Sequence, residues 1–309
     1  MSKLLIFDHD GAVDDLLSLM LLLTMDHIQL KAISITPADC YPENAIETTY
    51  KLLTLARKTD MQIGAGNYYG INAFPAEWRA KPKVLNALPS LINIDTSLQG
   101  QIKDSVDVLV HTIRSSDQPV TILLTGPCSN LVFAIEQDKS ILQNIAEVIW
   151  MGGAVDVPGN VRTYNHDGSA EWNVFWDPVS SHKLLTYQLP LVLIPLDVTN
   201  MVPVSMGFLK ILALQSDYPL SNLAGQFWAT TIDTIPSYEY TYFMWDILAA
   251  SYLGIPDAFV LEKVELEIQP NGHNSGQTFR KPGSGKWVQM ATHVNKERFY
   301  QYVLQQLKR

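Results

Sequence analysis

Short apolar runs alternate with longer stretches of helical spacing along most of the chain. Residues 4–7 are a compact apolar run of large side chains and predict a buried strand. From Asp14 the chain is apolar for about two turns, predicting a helix. Residues 31–36 predict a second strand, 43–58 a helix and 62–65 a third strand. Residues 120–124 and 148–151 predict strands with a helix between them, and 178–187 a helix leading into a strand at 191–196. Strands that alternate with helices imply an α/β fold, a mostly parallel central sheet flanked by helices. Residues 258–294 change character: strands joined by Gly-rich turns predict a small antiparallel extension near the C-terminus, closed by a helix at 296–309. Residues 66–98 and 216–243 break the rhythm, and long irregular segments of this kind are often lids or binding loops. No repeat, low-complexity segment or linker divides the chain, which implies one domain over 1–309.

Composition narrows the partner. The 309 residues are 47% apolar and 17% charged, with a formal net charge of −9. No basic stripe is present, which argues against nucleic acid and suits a small neutral or cationic ligand. Cys40 and Cys128 are too few for a disulfide framework or a four-cysteine zinc site, so two reduced, buried thiols are expected. The apolar run at 4–7 is too short for a signal peptide, and the stretch at 16–23 is too short to span a bilayer. A cytoplasmic address without membrane contact is the expectation.

The chemistry concentrates in Phe7-Asp8-His9-Asp10-Gly11-Ala12-Val13-Asp14-Asp15, where four carboxylates fall within eight residues after a predicted strand. Helix capping accounts for one or two such acids but not four. Their mutual repulsion calls for a cation, and oxygen donors suit Ca²⁺ or Mg²⁺. No His/Cys cluster points to zinc. The same opening, strand-Asp-x-Asp-Gly, also begins the haloacid dehalogenase-like phosphatases, with Asp8 as nucleophile and Asp10 as acid/base. That reading needs a later acidic pair after a strand, and none follows Asp15. A non-catalytic nucleoside- or sugar-binding protein would be expected to lack the first-loop acids, which are present.

Further segments complete a pattern: Thr36-Pro37-Ala38-Asp39-Cys40, Phe74-Pro75-Ala76-Glu77-Trp78, Thr125-Gly126-Pro127, Met151-Gly152-Gly153-Ala154, Gly159-Asn160, Ala170-Glu171-Trp172-Asn173 and Trp245-Asp246. In this order, up to about residue 250, the chain resembles the nucleoside hydrolases, and within them the purine-specific, inosine–adenosine–guanosine-preferring group. The resemblance implies Ca²⁺ held by Asp10, Asp15, the carbonyl of Thr125 and Asp246. The ion would hold the ribose diol and lower the pKa of the attacking water, with Asp10 as general base. It implies ribose contacts from Asp14, Asn160, Glu171 and Asn173, assisted by the carbonyl of Met151. It places the base between Trp78 and Trp245, with Asp39 facing a purine ring nitrogen. Many members carry His where Trp245 stands, so stacking rather than a histidine would activate the leaving purine. His9 is given only a structural role, and His166, near Glu171, is the alternative acid. Ala12 departs from a residue that is polar in some purine-preferring relatives, and the aromatic run at 238–243 resembles a mobile active-site loop in position alone. The implied substrate is a purine ribonucleoside, and the implied assembly a homodimer.

Overall fold

The computed structural model describes residues 2–96, 102–232 and 241–309. One sheet runs through them. Its strands are β1 (Lys3–His9), β2 (Ile28–Ile35), β3 (Gln62–Ala65), β4 (Lys103–Asp104), β5 (Val120–Leu124), β6 (Ile145–Met151), β7 (Leu191–Ile194), β8 (Phe259–Ile268), β9 (Thr278–Arg280) and β10 (Lys286–Val294). Their order is β4-β3-β2-β1-β5-β6-β7-β10-β8-β9. Pairing is parallel from β4 through to β10 and antiparallel for β10–β8 and β8–β9. The C-terminal extension is thus fused to the parallel sheet through β10 on β7.

β1 shows why the sheet is buried on both faces. Side chains alternate across a strand. Leu5 and Phe7 enter a core with helices Val13–Leu23, Pro219–Ile232 and Trp245–Ser251, while Leu4 and Ile6 enter a second core with Ser105–Ser115 and Ser129–Gln137. A strand covered on both sides must be apolar nearly throughout, and β5 is buried at all five positions.

The order of the sheet locates the site. Strands 1 to 4 run one way from the centre and 5 to 7 the other, so the direction of winding reverses between β1 and β5. Ligands of open α/β sheets bind outside the carboxyl ends of the strands at such a reversal.

Two expectations change. The helix Pro219–Ile232 lies inside the stretch expected to be irregular, and Met206–Ala213 precedes it. Leu223, Ala224, Phe227 and Trp228 are buried at helical spacing, a stripe masked in the sequence by the aromatic run that follows. Of residues 66–98, the described part, 66–96, holds only the short helices Ala76–Arg79 and Lys81–Asn86. Of the aromatic run at 238–243, positions 238–240 lie outside the described residues. Among the described residues no helix is long and apolar enough to cross a membrane.

Candidate active site

The floor of the site is the turn between β1 and the helix Val13–Leu23. Gly11 has φ +83°, and a Cβ there would meet Ala45 Cβ at 2.6 Å and Cys40 Cβ at 2.8 Å, so only glycine passes. This sharp turn brings Asp10 and the first-turn acids Asp14 and Asp15 together. Gly126, just beyond β5, allows an equally close approach: a Cβ there would lie 2.7 Å from Asp10 Cβ.

Each acid has its own ties. Asp10 accepts from the Asp39 N–H at 3.3 Å. Asp15 accepts from the Ala12 N–H at 2.7 Å and the Thr125 hydroxyl at 2.5 Å. Asp14 accepts from the Tyr242 hydroxyl at 2.8 Å and the Asp246 N–H at 3.3 Å. Asp246 itself sits in the first turn of the helix Trp245–Ser251. The Asn173 side-chain amide donates to the carbonyls of Thr125, at 3.0 Å, and Met151, at 3.1 Å, joining the ends of β5 and β6.

Burial first, and then the charges of neighbouring carboxylates, holds Asp10, Asp39 and Asp246 well above the usual carboxylate range. Burial raises Asp14 against its bonds to Tyr242 and Asp246, and pushes Asp15 up to about 7. No lysine or arginine figures among the leading influences on Asp10, Asp14, Asp15 or Asp246. Only Asp39 has a cation beside it, Arg79. Uncompensated buried acids of this kind call for a cation, and carboxylate and carbonyl oxygens are hard donors. Among the described residues no three His, Cys, Asp or Glu side chains already stand in an arrangement that could hold an ion. The fit therefore lies in charge and donor chemistry rather than in a preformed cage.

A cavity of about 800 Å³ opens over this floor. Asp10, Asp14, Asp39, Trp78, Thr125, Met151, Asn160, Glu171, Asn173, Trp245 and Asp246 all line it. Asp15 does not: it is fully buried, and each of its oxygens accepts one hydrogen bond, from Ala12 and from Thr125, which leaves each a lone pair. Glu171 caps the helix Trp172–Trp176, accepting from the N–H groups of Asn173 at 2.8 Å, Val174 at 3.3 Å and Gly153 at 3.0 Å. Burial pushes its carboxyl up to about 7. Asn160 accepts from the Trp172 N–H at 3.2 Å.

Aromatic rings form two groups around the cavity. Trp172 packs on Trp78, with centroids 5.5 Å apart, and on Phe74 at 5.0 Å. Trp245 packs on Tyr242 at 4.8 Å and Phe243 at 5.8 Å. All six rings line the cavity. Phe74 and Trp172 have no individual role in the sequence pattern, and Tyr242 enters it only within the aromatic run at 238–243. The signal available for the first two was their place inside the motifs around Trp78 and Glu171. The sequence pattern also passed over two cations at the cavity. Lys81 donates to the Thr230 carbonyl at 2.7 Å, and Arg162 to those of Val161 at 3.0 Å and Gly168 at 3.4 Å.

The histidines stand apart. His9 is fully buried against Phe7, and burial lowers its pKa to about 3. His166 Nδ1 accepts from the Gly168 N–H at 3.0 Å, which leaves Nε2–H to donate to the Ser275 carbonyl at 3.0 Å. Neither lines the cavity. His166 is thus a staple between two loops rather than an acid facing a ligand. Asp8 is buried and accepts from the Thr36 hydroxyl at 3.1 Å and the Asn130 amide at 3.5 Å. It does not line the cavity, so the phosphatase reading loses its nucleophile.

The sequence pattern of the inosine-uridine preferring nucleoside hydrolases matches residues 5–301, and the chain belongs to that family. An inosine-uridine preferring nucleoside hydrolase from Bacillus anthracis superposes with a TM-score of 0.93 at 32% identity over 99% of each chain. A purine-preferring ribonucleoside hydrolase from Gardnerella vaginalis shares the fold, with a TM-score of 0.83 at 19% identity over 99% of this chain and 98% of that one. The pyrimidine-specific ribonucleoside hydrolase RihA of Enterobacter sp. (strain 638) is 27% identical over 208 residues, covering 63% of this chain. The match spans 60% of that relative's length. These likenesses carry the family but do not single out the purine-specific group that the motifs suggested.

Proposed function

We propose that the protein hydrolyses the N-glycosidic bond of purine ribonucleosides, releasing free base and ribose, with Ca²⁺ bound at the carboxylate floor. One observation carries the reading: a single cavity joins the buried acids that follow β1, and Thr125 at the end of β5, to two groups of packed rings, each with a tryptophan. Asp10, Asp15, the Thr125 carbonyl and Asp246 would hold the ion, which when bound supplies Lewis acidity and lowers the pKa of nearby water. Asp10 takes the proton of the attacking water. As the glycosidic bond lengthens, positive charge grows on the sugar, and the fixed carboxylates of the floor stabilise it.

Asp14, Asn160, Glu171 and the Met151 carbonyl are the ribose contacts in this reading. Asn173 joins them and also holds the Thr125 and Met151 carbonyls in place. Trp78 and Trp245 stack on the base, Trp172 supports Trp78, and Asp39 meets a ring nitrogen. Stacking favours the protonated purine through a cation–π contact, which makes a histidine acid unnecessary. The homodimer and the cytoplasmic address expected from the sequence belong to the same proposal.

A second reading, turnover of inosine and uridine alike, is favoured by the likeness to the Bacillus anthracis protein named for that pair. A turnover panel of inosine, adenosine, guanosine, uridine and cytidine, with and without chelator, separates the two. The purine reading expects inosine to exceed uridine in kcat/KM by at least about tenfold, the scale of one stacking contact. Equal values establish the second reading, and no turnover of any ribonucleoside refutes both.

A further inference from the structure

Asp14 lines the cavity at 3% exposure, and both its oxygens are held from one side. The Tyr242 hydroxyl donates to Oδ1 at 2.8 Å, and the Asp246 N–H donates to Oδ2 at 3.3 Å. An aspartate carboxylate left to itself rotates in a broad well about its last torsion. Two donors on different atoms remove that freedom. A carboxylate accepts at about four lone-pair sites, so roughly half remain for a ligand.

Tyr242 is itself held firmly. Its carbonyl accepts from the Val204 N–H at 2.8 Å, the Met244 N–H donates to the Val202 carbonyl at 3.0 Å, and Pro203 and Phe243 form a bridge between these bonds. Its ring packs on Trp245 at 4.8 Å with the planes 73° apart. One residue thus touches both the acid that faces the sugar and the indole that faces the base.

We propose that Tyr242 is a positioning residue for sugar selection: its hydroxyl, together with the Asp246 N–H, sets the Asp14 carboxylate so that its remaining lone pairs meet the ribose diol. The proposal rests on the reading of Asp14 as a ribose contact. The consequence is specific. Loss of the hydroxyl weakens recognition of a sugar that bears the 2′-hydroxyl and matters little for one that lacks it.

The test is Tyr242→Phe, which keeps the ring against Trp245. Inosine is assayed as substrate, and 2′-deoxyinosine as a competitive inhibitor, so that its binding is read whether or not it turns over. A charge-assisted hydrogen bond sets the scale: KM for inosine should rise about tenfold, while Ki for 2′-deoxyinosine moves less than about twofold. An equal rise in both constants overturns the proposal, because Tyr242 would then only support the pocket. No change in either overturns it as well. In the wild type, Ki for 2′-deoxyinosine no weaker than KM for inosine would instead remove the underlying reading of Asp14.

Discussion

The carboxylate floor and the aromatic walls of the cavity are built in opposite ways. Asp10 and Thr125 extend directly from β1 and β5, and Asp14 and Asp15 fill the first turn of a helix that is buried at all but one of its 11 positions. Backbone N–H groups of Ala12, Asp39 and Asp246 hold three of the four floor acids. The walls rest on slighter elements. Trp78 belongs to a four-residue helix, Ala76–Arg79, in which no residue is buried, and its neighbours are other rings. Trp245 opens a helix just after Tyr242 and Phe243, whose rings pack on it. On the proposed reading, regular structure fixes the chemistry and rings on short or terminal elements set what is admitted, the common division between scaffold and loop.

The largest break in this comparison comes from the floor. Asp10→Asn should lower kcat for inosine by about 10²–10⁴-fold for loss of a general base, with a further loss from weaker cation binding. Steady-state kinetics at saturating Ca²⁺ checks it. The walls should cost less: Trp245→Ala should reduce kcat for inosine by about ten- to hundredfold, the value of one base–aromatic stack.

Smaller effects follow from groups outside the cavity. His166→Gln should leave kcat for inosine and its pH profile essentially unchanged, and lower Tm by about 2 °C for the lost loop contact. A loss of kcat confined to purine substrates would make His166 the acid after all.

Stability against pH sharpens the account of the floor. In the presence of chelator, burial places Asp8, Asp15 and Glu171 at about 7, above the ordinary 3.8 of an aspartate and 4.5 of a glutamate. Their folded forms bind protons that the unfolded chain has released, so their contribution is fully present below about pH 4 and is lost as pH rises to about 7. His9, lowered from 6.5 to about 3, acts in the opposite sense, losing stability below about pH 6.5. These three acids, with Asp10, Asp14, Asp39 and Asp246 raised in the same direction, outweigh one histidine and give a falling Tm between about pH 4.5 and 7.5 in differential scanning fluorimetry. Added Ca²⁺ should flatten the upper part of that fall. A Tm that rises with pH in chelator would contradict the electrostatics described for these buried acids.

The sequence was legible where function follows local order. The apolar run of β1 ends abruptly at the acids of the first loop, which exposed Asp10, whereas Thr125 and Met151 were reached through the motifs that carry the family resemblance. Contacts between distant segments were not legible. Tyr242 and Asp14 are 228 positions apart, and Asn173 reaches Thr125 across 48. Glu171 and Asn173 were read as ribose contacts from the family resemblance, which does not show that one also caps a helix and the other also joins two carbonyls. The helix Pro219–Ile232 was hidden because the aromatic run after it drew the whole stretch into an irregular segment.

The division between floor and walls is tested most directly by p-nitrophenyl riboside, whose leaving group needs no proton, assayed beside inosine on Asp10→Asn and Trp245→Ala. The account predicts that Asp10→Asn slows both substrates by similar factors, whereas Trp245→Ala slows inosine about ten- to hundredfold and leaves p-nitrophenyl riboside nearly untouched. If Trp245→Ala slows both alike, or Asp10→Asn spares the activated riboside, the division is wrong.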